Sequence, residues 1–417
     1  MGERYYPNPY PDYNDDDNDS TLLTDNDDES ASIIPSLHTV FIDHIRLLLR
    51  ELEINLMSLS SDNFTIYTGS TGIVLLYLKL YELNAFENER QDILSKVNGL
   101  VKQSLENIGR HSKERYSAFL CGKIGVLACK VLSNHANEKD STKYLRIIRD
   151  LAPKILSSDD VPDEILFGRS GYLYSLLMLR EKIPNSAQIL DNNLIRSVVE
   201  KILESGQLTS RKEKNPIAPL VYYWHEKEYV GAAHGYAGIL YMLLEARNYL
   251  DNDKQELNTL IKPTIDSIIR LQFPETGNFP SSLNNTQDRL VHWCHGSPGI
   301  IHLLLLSYEI FNDQSYLDAA KKAADDIWQR GLLKKGCGLC HGTAGNGYAF
   351  LRLFQSTNDQ KYLYRACKFA EWCFQPNQHR TRIADRPYSL FEGLAGTIYF
   401  LADCIQSKQA RFPALQI

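Results

Sequence analysis

CHGTAGNGYAFLRLF, residues 340–354, carries the pattern from which the architecture of the chain can be read. Gly342 and Gly345 stand three apart at the head of an apolar run, directly after a cysteine and a histidine. The same G-x-x-G before an apolar run opens at Gly69 (GSTGIVLLYLKLYEL), Gly122 (GKIGVLACKVL), Gly168 (GRSGYLYSLLML), Gly235 (GYAGILYMLL), Gly296 (GSPGIIHLLLLS) and Gly393 (GLAGTIYFLADC). The intervals between successive copies are 53, 46, 67, 61, 46 and 51 residues. One G-x-x-G carries no information. Seven, each heading an apolar run, mark an internal repeat.

Between copies lie amphipathic stretches of mixed charge, such as QSYLDAAKKAADDIWQRGLL and KYLYRACKFAEWCF, with apolar residues at helical spacing. Each repeat therefore predicts a buried helix paired with one that keeps a solvated face. Seven such pairs close into two concentric rings, an all-α, α/α toroid covering residues 37–417. The glycines permit a tight turn and close backbone approach where the inner helices crowd together. The inner N-termini are expected to turn unpaired N–H groups and positive dipole ends toward one shared cavity.

A formal charge of −6 and pI near 6.0 exclude a general nucleic-acid or anionic-membrane surface. No apolar run approaches the ~18–20 residues that span a bilayer. The opening MGERYYPNPYPDYNDDD has no apolar h-region, so no secretory signal is expected, and Tyr6 stands where a myristoylation motif needs Ser or Thr. Eight cysteines on these terms predict reduced thiols in the cytosol, where clustered Cys and His serve metal binding or catalysis. Residues 1–36 form a separate N-terminal segment. Its stretch from Asp15 to Glu29 holds eight acidic residues and few apolar ones, which predicts a disordered insert. Asp15, Asp17 and Asp19 mimic an EF-hand start, but Ser20 replaces the required glycine and Asn26 the closing glutamate.

Copies five and six put Cys294, His295, Cys340 and His341 at equivalent positions on neighbouring inner helices. Two thiolates and one imidazole make a Cys₂His set, a zinc arrangement that leaves a fourth position open. Spacing leaves either histidine available as the third ligand. Both thiols stand at helix N-termini, where the dipole favours thiolate. The C-x-x-C of Cys337 and Cys340 lacks a βαβ context, so Cys337 reads as a small loop residue. Cys121, Cys129, Cys367, Cys373 and Cys404 read as core. His234, just before Gly235, faces the cavity as a general acid or base, with a structural hydrogen bond as the ordinary alternative.

VHWCHGSPG, KKGCGLCHGTAGN, VGAAHGYAG and PYSLFEGLAGTIYFLAD, with RYYPNPYPDY near the start, resemble the eukaryotic LanC-like proteins, above all their type 1 and 2 group, relatives of the bacterial lanthionine cyclases. The resemblance covers nearly the whole chain and departs from it in the acidic insert. It implies the same seven-fold toroid, zinc held by Cys294, Cys340 and His341, and proton handling by His234. The cyclases' aspartate four residues before the third G-x-x-G is Glu164 here, which puts that role in question. The eukaryotic relatives bind glutathione, and their contacts match Lys335, Arg382 and Asp385, with Arg4 a further candidate. Glutathione's two carboxylates suit Lys335, Arg4 and Arg382.

The resemblance implies zinc-dependent addition of the glutathione thiol to dehydroalanine or dehydrobutyrine in proteins or peptides. The alternative is a non-catalytic glutathione- and zinc-binding scaffold that presents a surface to signalling proteins. A glycosidase toroid would need two carboxylates facing one cavity, and the copy starts offer only Glu392 and Glu164.

Overall fold

The structure, a computed structural model, describes residues 3–14, 23–24, 32–56, 62–110, 118–214, 216–250, 255–375, 379 and 381–417. The acidic insert lies outside them except for Leu23–Thr24, which pair antiparallel with Ser32–Ile33. The helices are α1 (Pro35–Asn55), α2 (Ser70–Glu82), α3 (Arg90–Arg110), α4 (Lys123–Ala136) and α5 (Thr142–Asp150). Then come α6 (Ala152–Ser157), α7 (Arg169–Lys182), α8 (Asn192–Lys212), α9 (Tyr236–Glu245) and α10 (Lys262–Ile269). The last are α11 (Ser297–Phe311), α12 (Gln314–Arg330), α13 (Thr343–Thr357), α14 (Gln360–Cys373) and α15 (Leu394–Ile405).

Among the described residues, seven helices begin immediately after the first glycine of a repeat: α2, α4, α7, α9, α11, α13 and α15. They pack on one another in that order, and α15 returns to α2, closing an inner ring. Behind them, α3, α5, α8, α12 and α14 each pack on the inner helix they follow, α6 bridges α5 and α8, and α10 follows a π-turn that packs on α9. The seventh pair has a different origin: α15 is covered by α1, from the far end of the chain. The expected α/α toroid is the fold.

Patterning explains the two layers. Every residue of α11 from Ser297 to Ser307 is buried, whereas α12 buries only the face of Tyr316, Leu317, Ala320, Ala323, Ala324 and Ile327 with their close neighbours. Each Leu or Ile taken fully from water contributes about 1.5–3 kcal/mol, so the all-apolar helices occupy the inside.

The second glycine of each repeat is required by close approach. A Cβ at Gly72, Gly171 or Gly345 would stand within 3.0 Å of the carbonyl oxygen of Ile66, Ile165 or Leu339, in each case six residues earlier. The loop thus folds back over the first turn of its own helix. One expectation is corrected by that fold-back. The first amides of six of the seven inner helices are not left open to a cavity. Ser70, Arg169, Tyr236, Thr343 and Leu394 donate to the carbonyls of Asn63, Pro162, Tyr229, Gly336 and Pro387, seven residues earlier in every case. Ser297 donates to Asn278 Oδ1 at 2.9 Å, and Gly296 before it takes a φ of 114° that a side chain would strain. Buried amides find partners. What reaches the mouth is the side chains just ahead of each first glycine.

The centre of the toroid is filled from below by the C-terminal segment, where Phe412 is fully buried and stacks on Trp293 at 4.8 Å. Trp293 immediately precedes Cys294, so this plug forms the floor of the mouth. Among the described residues no helix is long and apolar enough to cross a membrane.

Candidate metal centre and acid–base pair

The loops before the inner helices are stitched to one another. Cys294 N–H donates to the Cys340 carbonyl (3.2 Å), Cys340 N–H to Phe391 (2.8 Å), Phe391 N–H to Tyr67 (3.1 Å) and Tyr67 N–H to Leu120 (3.0 Å). These bonds hold the residue two places before each glycine in a common register. Cys294 and Cys340 occupy it in copies five and six, Tyr67 and Phe391 in copies one and seven. The next residue is Cys121, Phe167, His234, His295, His341 or Glu392 in copies two to seven.

Cys294, Cys340 and His341 present one sulfur, one sulfur and one ring nitrogen, all within 4.8 Å of one another. Ligand atoms around a tetrahedral zinc at ~2.3 Å Zn–S distance lie roughly 3.5–4 Å apart, so the spacing fits. The donor set fits as well. Both thiols are buried, and burial, followed by the neighbouring Cys294, pushes the Cys340 thiol well above its usual range, with His341 opposing. A cation beside the two buried sulfurs is what would favour their thiolate forms. Tyr67 O–H donates to Cys340 Sγ at 2.8 Å, and burial followed by both cysteines raises its own pKa, keeping it a donor.

His295 is not part of that cluster. Its ring lies 5.3 Å from that of Tyr229, and its buried Nδ1 has no partner among the described residues. Burial, then the charges of His234, Lys335 and His341, pull its pKa down to about 4.

His234 is brought together with Glu164. The Glu164 carboxylate is 2 % exposed and lies 2.7 Å from His234 Nδ1. The backbone N–H groups of Leu166 and Phe167 donate to it at 3.1 and 2.6 Å, which fixes its orientation. Nδ1–H donation to Glu164 leaves Nε2 for the mouth. The Glu164 side chain thus reaches the histidine from the loop of the preceding repeat. The Trp224 and Phe167 rings lie parallel to the imidazole, with centroids 5.6 and 6.2 Å away.

On the copy-six and copy-seven side a cavity of about 500 Å³ is lined by Lys335, Cys337, Arg382, Tyr388 and Glu392 among others. Arg382 pairs with Asp385 at 3.0 Å, both largely exposed, and Asp385 is not among the cavity-lining residues. Arg4 arrives on an N-terminal strap: Lys334 N–H donates to the Arg4 carbonyl, Tyr6 N–H donates to Leu332, and buried Arg365 grips Asp12 through two hydrogen bonds. The Arg4 and Lys335 charges both reach His292, whose pKa is held well below normal, first by burial.

Sequence reasoning missed Tyr67, although it stands in the same register as Cys294 and Cys340 once the repeats are aligned. Cys121 is corrected from core to a half-buried loop residue at the mouth, where burial, then Glu164 and Cys340, raise its pKa. Cys337, read as a loop residue, is in a loop and buried. Trp224 gave no signal: its hairpin turns through His225 and Glu226 at φ of 46° and 60° without a glycine.

A double ring that carries a Cys₂His cluster and a carboxylate-bound histidine on the loops before its inner helices defines the class, an α/α toroid. The chain has the fold of nisin cyclase, with a TM-score of 0.65 at 17% identity over 86% of this chain and 94% of that one. Residues 60–417 match the family described as lanthionine synthetase C-like protein, and the chain belongs to that family. It is 40% identical over 419 residues to the glutathione S-transferase LANCL1 of Danio rerio, covering 100% of this chain and 99% of the relative.

Proposed function

We propose that this protein adds the glutathione thiol across the double bond of dehydroalanine or dehydrobutyrine residues in polypeptides. The observation that supports it is the meeting, at one mouth, of a Cys₂His donor set and a carboxylate-held histidine. The name of its 40% identical relative supports glutathione as the thiol. Zinc held by Cys294, Cys340 and His341 would keep a fourth position for a thiol and favour its thiolate at neutral pH.

The residues of the chain do the rest. Lys335, Arg382 and Arg4 pair with the glutathione carboxylates and orient its cysteine toward the mouth. Sulfur bonds to the β-carbon, and the alkene electron pair moves onto the α-carbon and its carbonyl. Protonated His234 delivers its Nε2 proton to the α-carbon, and the proton lost by the thiol restores it, so charge and atoms balance. Glu164 orients the ring and stabilises its charged form. The free thiols and the need for reduced glutathione suit a cytosolic setting.

The test is direct. Zinc-replete protein incubated with glutathione and a dehydroalanine peptide should yield the peptide–glutathione adduct by mass spectrometry. If no adduct forms above the enzyme-free rate, the scaffold reading replaces this one.

A further inference from the structure

A thiol addition joins two molecules, and one mouth must receive them from different directions. If glutathione enters from the cationic cavity beside Lys335, its acceptor needs another approach to the same centre. The structure holds a second cavity, about 610 Å³, on the copy-four and copy-five side. His295 stands in its wall, one residue after Cys294, and the unpartnered Nδ1 of that histidine is a polar atom unused by the fold. Tyr229, also in the wall, has its ring 6.0 Å from that of His234 and 5.3 Å from that of His295. The cavity therefore ends where a β-carbon would meet sulfur and an α-carbon would meet His234.

Its walls have the chemistry of a peptide site. Two extended segments frame it, with Val230 N–H donating to Ser281 and Leu283 N–H to Glu228, both at 3.1 Å. Side-chain hydroxyls and amides from Tyr223, Ser281 and Asn284 face it, suited to backbone amides. Among the described residues, the charged ones that line it are Glu226, Lys227 and Glu228. Glu228 is engaged by the hydroxyls of Tyr223 and Tyr236 at 3.1 and 2.6 Å. An anionic donor such as glutathione has no counter-charge cluster here comparable with Lys335 and Arg382.

We propose that this cavity is the acceptor subsite, taking an extended polypeptide segment of neutral or positive charge whose alkene side chain reaches past His295. The inference rests on the glutathione-transfer reading and adds to it where the second substrate binds and of what class it is.

Two variants test it, Glu226→Lys combined with Tyr223→Ala, and Asn284→Trp to fill the space. With zinc-replete protein, KM for a dehydroalanine peptide flanked by lysines should rise roughly tenfold in each, as for loss of a binding hot spot. The affinity for glutathione by calorimetry, and turnover of N-acetyl-dehydroalanine methylamide, too small to use the cavity, should stay at wild-type values. An Ala-for-dehydroalanine peptide should lose binding by fluorescence anisotropy in parallel. Wild-type peptide KM in both variants overturns the assignment, as does joint loss of glutathione binding. Wild-type protein that forms no adduct with either alkene instead defeats the transfer reading itself.

Discussion

The first three repeats and the fifth and sixth share one backbone and differ in what they offer the mouth. Copies one to three present Tyr67–Thr68, Leu120–Cys121 and Leu166–Phe167. Copies five and six present Cys294–His295 and Cys340–His341 at the same two places. In both groups the second glycine sits against the carbonyl six residues earlier, and in copies one, three and six a loop carbonyl accepts the first amide of the helix. Closing the ring and doing chemistry are therefore assigned to different positions of the same motif. The glycines serve the ring in all seven copies. The two preceding residues are free to vary, and only part of the rim uses that freedom to gather the Cys294–Cys340–His341 cluster and the Glu164–His234 pair.

Exchanging residues between copies is the way to break this comparison. The largest effect is expected from Cys340→Leu, which gives copy six the residue of copy two. Zinc measured by elemental analysis should fall to background and adduct formation with it, while the helical circular dichroism stays. A zinc-loaded Cys340→Leu protein would remove this cysteine from the ligand set.

Next is His234→Phe, the residue of copy three placed in copy four. It should retain zinc and glutathione yet lose roughly 10²–10⁴-fold in adduct formation, the worth of a positioned general acid. The remaining product should lose stereochemical bias at the α-carbon, because water protonates from either face. Unchanged kcat would leave the metal centre standing and His234 outside the mechanism.

Lys335→Ala tests the cationic cavity. Loss of a charged hydrogen bond should weaken glutathione binding by ~1.5–3 kcal/mol with zinc content unaltered. Calorimetry that finds no change would mean that the donor does not lie there.

The smallest effects sharpen the structural half of the comparison. Gly171→Ala, in a copy without metal chemistry, should cost about 1–3 kcal/mol in denaturant unfolding, as overpacking does, because its Cβ would meet the Ile165 carbonyl. Gly99→Ala on α3 is the control, with nothing within 4 Å of the added atom. It should stabilise by about 0.5–1 kcal/mol through helix propensity. Equal effects of one sign would mean that the repeat glycines are not there for close approach.

The toroid was legible because the glycines repeat at a spacing that fits one helix pair, and because the inner helices are apolar on every side. Its closure was less legible. Nothing in the periodicity says that α1 covers α15, since helical spacing reveals a buried face but not its partner. The amide capping was hidden for a related reason: it depends on where a loop carbonyl lands seven residues back. At the site, spacing brought Cys294, Cys340 and both histidines together, and only the family likeness favoured His341 over His295. Tyr67 could have been found from register. Trp224 could not, because its turn is held in left-handed conformations by residues that do not advertise them.

The pairing of α1 with α15 also dictates an order of events during synthesis. The chain leaves the ribosome from its N-terminus, so α1 appears first and waits with an apolar face until α15, the last inner helix, is released. The metal loops wait as well, since the Cys340 amide needs the Phe391 carbonyl and the Phe391 amide needs Tyr67. A chain stalled before Gly393 thus has Cys294, Cys340 and His341 and none of the closure that aligns them. On the proposed zinc reading, loading becomes a late step, coupled to completion of the whole polypeptide, and truncation near the C-terminus should leave a nascent protein for chaperones to hold rather than a smaller working one.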